Sequence, residues 1–303
     1  MNDRKLNTEY APIIVFAYNR VGQLKDTICS LLKNIESSQS SLYVFVDGPK
    51  DCKDSYKVNE VQKYVLSIDG FKSLDYFFSD HNKGLGPSVI EGVSKILDQY
   101  KKAIVLEDDL VVSKNFLAFM NSSLSFYENN KKVFSVCGYS NKIKVTKEYQ
   151  YDGYICTRSS SWGWGTWVDR WNSVDWNLEE WSSVRKKKNQ FNKWGGSDCY
   201  KLLNMWKKGN NQSWAIRFCY SQFLQSAVSI FPLLSKVRNY GFDGQGTNCK
   251  RWNRFKSDFD LSEEKTFKFP ETTQIMPYFL RQSKSYHSIF NRLISRLMYL
   301  IYP

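Results

Sequence analysis

The sequence predicts an α/β fold: a mostly parallel sheet with helices on both faces, followed by a less regular second half. Three observations predict it. Short apolar runs alternate with helix-period segments from residue 12 to residue 107. Polar side chains follow each apolar run at once. The fourth run ends in three consecutive acids, Glu107-Asp108-Asp109. Open parallel sheets bind ligands at the carboxyl ends of their strands, so the last two observations point to a site.

Each element has its own reason. Residues 12–18 (PIIVFAY) form a short apolar run and read as a buried strand. Val21, Leu24, Ile28, Leu31 and Leu32 recur at helical spacing, so residues 21–32 read as a helix. Residues 42–46 are a second strand, stopped by the turn Asp47-Gly48-Pro49. A helix over 58–68, a strand over 74–78 and a helix over 86–100 follow, with Pro87 in the first turn of the last. Residues 103–106 are the fourth strand. Beyond the acids, residues 116–127, 199–208 and 214–225 read as helices, and 134–137, 153–157 and 228–234 as strands. Between them lie a Trp-rich stretch (SWGWGTW, 161–167) and a loop with three glycines (GFDGQGTNC, 241–249), which suits a mobile flap.

Composition narrows the function classes. A chain of 303 residues with 42% hydrophobic residues can bury a sizeable core, which excludes a disordered chain. The formal charge of +13 is unevenly spread. The last ~120 residues hold about 21 Lys/Arg against about 7 Asp/Glu and carry essentially all the excess. Such a half suits nucleic acid, an anionic membrane face or a phosphate-bearing substrate, or is simply a solvated basic face. No zinc-finger, homeodomain or RNP-type signature occurs, so no nucleic-acid partner is expected. The seven Cys are odd in number, scattered and free of any CxxC spacing, which favours free thiols in a reducing compartment. The polar N-terminus has no signal-peptide core, and no run of ~18 apolar residues occurs. A cytoplasmic location is the expectation.

The C-terminal segment 281–303 adds an amphipathic helix. Tyr286, Ile289, Phe290, Leu293, Ile294, Leu297, Met298 and Ile301 share one face, and Asn291, Arg292, Ser295 and Arg296 the other. A basic polar face with a broad apolar one suits a helix lying on an anionic membrane, here the inner face of the plasma membrane. The alternative is a terminal helix docked on its own domain.

Adjacent carboxylates are costly unless a cation neutralises them. At a strand end, Glu107-Asp108-Asp109 suits Mn²⁺ or Mg²⁺ bridging a diphosphate, whose growing negative charge the metal would stabilise as it leaves. The bland alternative is a solvated acidic loop.

The segments APIIVFAYNR, VFVDGPK, HNKGLG, IVLEDDLVVSKNFL, SWGWGTW and GFDGQGTNC occur in this order over roughly residues 11–250. This series resembles the bacterial sugar transferases of the GT-A (Rossmann-like) fold, near family 2. It is also similar to the N-acetylglucosaminyltransferase I group, which carries an EDDL stretch in the same setting. The resemblance implies one GT-A domain over 1–280, with a nucleotide-sugar-binding half at about 11–112 and an acceptor half at 113–280. It implies a UDP-sugar type of donor and a glycan or lipid-linked acceptor of cell-surface polysaccharide synthesis. Asn19 and Arg20 would sit by the base or phosphates, and Asp47 would accept a hydrogen bond from the base. Asn82, Lys83 and Gly84 would line the ribose and diphosphate. Glu107 would belong to the same pocket, Asp108 would contact ribose or metal, and Asp109 would be the main metal ligand. Each has a plainer reading: Arg20 as a surface charge, Asp47 as the shaper of its turn, Lys83-Gly84 as a turn.

An inverting transferase also needs a base for the acceptor hydroxyl. The N-acetylglucosaminyltransferase I group has an acid after a Trp; here Trp214-Ala215-Ile216-Arg217 has none. Asp198 is the first candidate and a helix N-cap is its other reading. Asp243 is second and Asp175 third. The Trp cluster 162–171 is expected to be part core and part acceptor platform. Two rival functions remain open: a nucleotidyltransferase, and a nucleotide- or carbohydrate-binding scaffold without turnover.

Overall fold

The computed structural model describes residues 10–242 and 252–301. Its first half is built from β1 (Ile13–Ala17), α1 (Val21–Leu32), β2 (Ser41–Val46), α2 (Cys52–Val65), β3 (Ser73–Phe78), α3 (Leu85–Leu97) and β4 (Lys102–Glu107). β1 pairs in parallel with β2 and β4, and β2 with β3. Next come β5 (Leu110–Val112), α4 (Phe116–Phe126), β6 (Val133–Cys137), β7 (Gly153–Cys156) and β8 (Trp164–Trp167). Helices α5 (Val168–Asn172), α6 (Trp181–Lys186), α7 (Lys188–Gly195), α8 (Cys199–Lys207) and α9 (Trp214–Leu224) follow. The chain ends with β9 (Val228–Pro232), β10 (Val237–Asn239), α10 (Pro277–Ser285) and α11 (Ile289–Ile301).

Eight strands form one sheet in the order β3-β2-β1-β4-β8-β6-β9-β7, and β5 pairs separately with β10. The sheet is parallel through β4 and mixed beyond it, because β8 runs antiparallel between β4 and β6, and β7 antiparallel to β9. Alternation along β1 explains the layers. Ile13, Val15 and Ala17 pack with Leu24 and Ile28 of α1 and Val58 of α2. Ile14 and Phe16 pack on the opposite face with Val89, Val93 and Ile96 of α3. A strand covered on both faces must be apolar at every position, which is why β1 reads as an unbroken run.

Three differences from the sequence reading have physical causes. α2 starts at Cys52 rather than residue 58, because the Asp51 carboxylate caps it by accepting from the backbone N–H of Lys53 and Asp54 at 2.9 and 3.1 Å. The Trp-rich stretch supplies β8, an interior strand: Trp164, Trp167 and Trp171 are all buried, and Trp164 stacks on Trp214 at 4.6 Å. Most of the expected aromatic platform is therefore core. β5 and β10 are three residues each, too short to carry a periodic signal.

From residue 252 the chain runs as an extended strap. The Tyr127 hydroxyl donates to the Pro270 carbonyl at 2.7 Å, and Asn115 Nδ2 donates to Asp260 at 3.1 Å. Asp260 also forms a buried ion pair with Lys236. The strap delivers α10 and α11 to the side of α7 and α8, where α11 meets Ser197.

Candidate functional site

Strand order reverses at β1: β2 and β3 lie on one side of it, β4 on the other. Such a switch point leaves a crevice at the carboxyl ends of the strands. A cleft of about 1120 Å³ opens there. Asn19 and Arg20 after β1, Asp47 after β2, Asn82, Lys83 and Gly84 after β3, and Glu107, Asp108 and Asp109 at the end of β4 all line it. The structure thus brings together every donor-side residue singled out in the sequence.

The acidic trio is held from both sides. Asp108 Oδ2 accepts from the Tyr18 backbone N–H at 3.2 Å, and its carbonyl accepts from Thr27 Oγ1 of α1 at 2.8 Å. The Asp109 carbonyl accepts from the Tyr240 N–H at 2.9 Å. Gly241 lies so close that a Cβ there would be 2.2 Å from Asp109 Oδ2, so a side chain at 241 would push the Asp109 carboxylate aside. Burial, then the charges of Asp109 and Asp108, push the Glu107 carboxyl well above its usual range. Burial and Asp109 push Asp108 up to about 7, against the Tyr18 N–H and Arg20. A divalent cation relieves this kind of crowding, so the donor set fits Mn²⁺ or Mg²⁺. Among the described residues no group of three or more His, Cys, Asp or Glu side chains is placed to hold a metal ion by itself.

The walls are organised by internal hydrogen bonds. Asp47 Oδ1 accepts from the N–H groups of Gly48 and Lys83, at 3.0 and 2.9 Å. Its Oδ2 accepts from Asn82 Nδ2 and the Gly84 N–H, at 3.0 and 2.9 Å. The carboxylate expected to receive the base is thus engaged with four protein donors, and it ties the loop after β3 to the end of β2. Asp54, on α2, does the same for the β1 end: it accepts from Tyr18 Oη at 2.6 Å and Asn19 Nδ2 at 3.1 Å. Burial and the Asp54 bond push the Tyr18 phenol up to about 12. Sequence reasoning missed Asp54; its position in the first turn of a helix capped by Asp51 was the available signal. Lys83 pairs with Glu91 of α3 at 2.7 Å.

Gly84 has φ of +79° and precedes α3, so the first turn of that helix opens onto the cleft. A Cβ on Gly86 would lie 1.9 Å from the Gln212 carbonyl, which shows how closely residues 210–213 cover the start of α3. This cover, reaching the cleft from the second half, was not visible in the sequence. Trp162 is half-buried on the cleft wall, against Tyr139 at 4.6 Å, and is the member of its cluster that lines the cleft.

The acceptor-side candidates fare differently. Asp198 is not on the cleft wall; it lines a neighbouring cavity of about 250 Å³. It accepts from Arg158 Nη1 at 2.9 Å and lies 3.8 Å from His287 Nδ1. Burial alone would raise its carboxyl, but Arg158 and then His287 hold it below the usual range. Asp198, the first candidate for a base, is thus paired with Arg158 and lies off the cleft wall. Asp175 accepts from the N–H groups of Asn177 and Leu178 at 3.0 and 2.8 Å and shapes a turn. Asp243 lies outside the described residues. After Trp214, Arg217 donates to the carbonyls of Trp176 and Ser213, so that segment offers no acid.

No family model matches this chain. Three solved structures are similar to parts of it. One is a mannosyltransferase, PcManGT from Pyrobaculum calidifontis, in complex with GDP-Man and Mn²⁺: TM-score 0.35, 9% identity, 52% of this chain and 45% of that one. The second is S. aureus TarS, with TM-score 0.30, 17% identity, and coverage of 46% and 23%. The third is a UDP-glucose pyrophosphorylase complexed with UDP-glucose, with TM-score 0.40, 10% identity, and coverage of 76% and 92%. The chain spans less than half the length of the first two structures. With TM-scores of 0.40 and below, the chemistry of the site rests on this chain's own residues.

Proposed function

We propose that this chain is a divalent-metal-dependent glycosyltransferase of the GT-A kind. It moves a hexosyl or N-acetylhexosaminyl group from a nucleotide-diphosphate donor, a UDP-sugar, to a glycan or lipid-linked acceptor in cell-surface polysaccharide synthesis. The observation that carries this reading is the carboxylate trio crowded at the mouth of the switch-point cleft. Asp109, with Asp108 beside it, would hold Mn²⁺ or Mg²⁺. The bound metal would stabilise the charge that develops on the departing diphosphate.

The chain's own groups supply the rest. The first-turn N–H groups of α3 offer an anion site, and Arg20 adds positive charge to the same cleft. Asp47 fixes the Asn82-Lys83-Gly84 wall, and Asp54 fixes Tyr18 and Asn19, so the pocket is rigid before the donor arrives. Trp162 offers an aromatic face to a sugar ring. Asp243 is the remaining candidate for a base if the reaction inverts.

Titration calorimetry with UDP, with and without Mn²⁺, followed by turnover across a panel of nucleotide-sugars, tests the reading. The expected result is binding that a chelator abolishes, and UDP release from one donor. Absence of metal-dependent binding to any nucleotide would sink it. Pyrophosphate release from a nucleoside triphosphate and a sugar phosphate would assign the nucleotidyltransferase instead. Tight binding without turnover on any acceptor would assign a scaffold.

A further inference from the structure

The C-terminal helix is docked the opposite way round from an ordinary amphipathic helix. Arg292 Nη2 of α11 donates to Ser197 Oγ at 3.0 Å, Ser295 is 1% exposed, and Arg254 reaches Ser295 Oγ at 3.4 Å. The polar face is therefore the one packed on the protein. The apolar face points outward: Phe290 is 71% exposed, Leu297 62% and Leu300 81%. A helix buries its apolar stripe when the protein offers a partner, so this stripe awaits something else.

Beside the helix lies the cavity of about 250 Å³ that Asp198 lines. Lys201 of α8, Arg254, and Arg292 and Arg296 of α11 line it too. Asp198 is the one acid among its described lining residues, and that carboxylate is already paired with Arg158. Four cations around a small cavity, with their one acid already neutralised, make an anion site. Leu202 and Met205 line both this cavity and the large cleft, so the two adjoin. Among the described residues no helix is long and apolar enough to cross a membrane, so any membrane contact by these helices is at its surface.

We propose that this face of the molecule sits on an anionic membrane: the exposed stripe of α11 lies in the lipid interface and a lipid phosphate headgroup enters the basic cavity. Charge complementarity selects the occupant. A second copy of a chain carrying +13 would bring its own cations to the same place, whereas a phosphate-bearing lipid surface brings both the anions and the apolar layer. Resting on the transferase reading, the inference puts a lipid-linked phosphate acceptor next to the donor cleft.

Vesicle co-sedimentation of the full chain tests it, using phosphatidylcholine vesicles with and without about one-third phosphatidylglycerol. Wild type is expected to bind the anionic vesicles and not the neutral ones. The exposed double variant Lys201→Gln/Arg296→Gln should bind about 25-fold more weakly, about fivefold per cation removed. Leu297→Gln/Leu300→Gln should weaken binding at least about tenfold. Wild type that ignores anionic vesicles overturns the proposal, as does either double variant binding like wild type. Calorimetric binding of inorganic phosphate without vesicle binding assigns a free-phosphate site. A dimer in light scattering that the Leu variant breaks, without vesicle binding, assigns a second copy; each of these overturns the membrane. UDP–Mn²⁺ titration of the same variants reports separately on the donor cleft, so failure of one reading is not failure of the other.

Discussion

The half-buried acids at the end of β4 and the buried Asp198 line adjoining cavities, and their carboxyls shift in opposite directions. At the end of β4, Glu107 and Asp108 are pushed upward by burial and by each other's neighbours. At the start of α8, Asp198 is buried but is held down by a guanidinium 2.9 Å away. The second group carries its own cation and forms a structural ion pair. In the first, the Tyr18 N–H and Arg20 act against the rise of Asp108 without cancelling it. Burial alone does not set the direction of a carboxyl's shift; the sign and distance of its charged neighbours do.

The largest expected effect breaks the structural side of this contrast. Arg158→Met leaves Asp198 charged and buried, and unfolding in urea should show a loss of about 3–5 kcal/mol. A loss under 1 kcal/mol (roughly the value of a surface pair) would mean that the pair is solvated. The ligand side is broken by Asp109→Asn. Transfer should fall by more than about a hundredfold, the scale for groups that orient a bound metal, with the thermal midpoint without metal unchanged or raised. Near-wild-type turnover would remove Asp109 from the metal site.

A smaller effect concerns pH. Burial first, then Arg158, depress His287 to about 3, while Asp198 opposes them and Arg254 and Arg292 add to them. Unfolded His titrates near about 6.5, so between there and about 3 the unfolded state binds the extra proton. The stability from keeping His287 neutral is thus full above about 6.5 and is lost as pH falls through this window. His287→Gln should flatten the fall by up to about 1.4 kcal/mol per pH unit. An unaltered slope would show that the ring is not kept neutral. The smallest expected effect is on donor affinity in Lys201→Gln/Arg296→Gln, within about twofold of wild type, because cations outside the cleft do not touch the nucleotide. A larger change would couple the two cavities.

Much of the first half was legible in residue order. β1, β2, β3 and β4 are local apolar runs, α1 has its apolar positions at helical spacing, and strand-end polarity marks the cleft. The second half was not. Trp164 and Trp167 look like a sugar platform in one dimension, yet insertion of β8 between β4 and β6 makes them core. Asp198 looks like a free acid until Arg158, forty residues earlier, is folded against it.

The sequence alone determined the α/β class, the strand ends that carry the cleft-lining polar residues and the acidic trio itself, because these depend on local periodicity and on neighbours along the chain. Only the tertiary structure decided which carboxylate pairs with Arg158, which Trp faces the cleft, and which face of α11 is outward. Those depend on contacts between residues far apart in the chain, and a charge or an aromatic ring has no fixed role until its surroundings set its solvation.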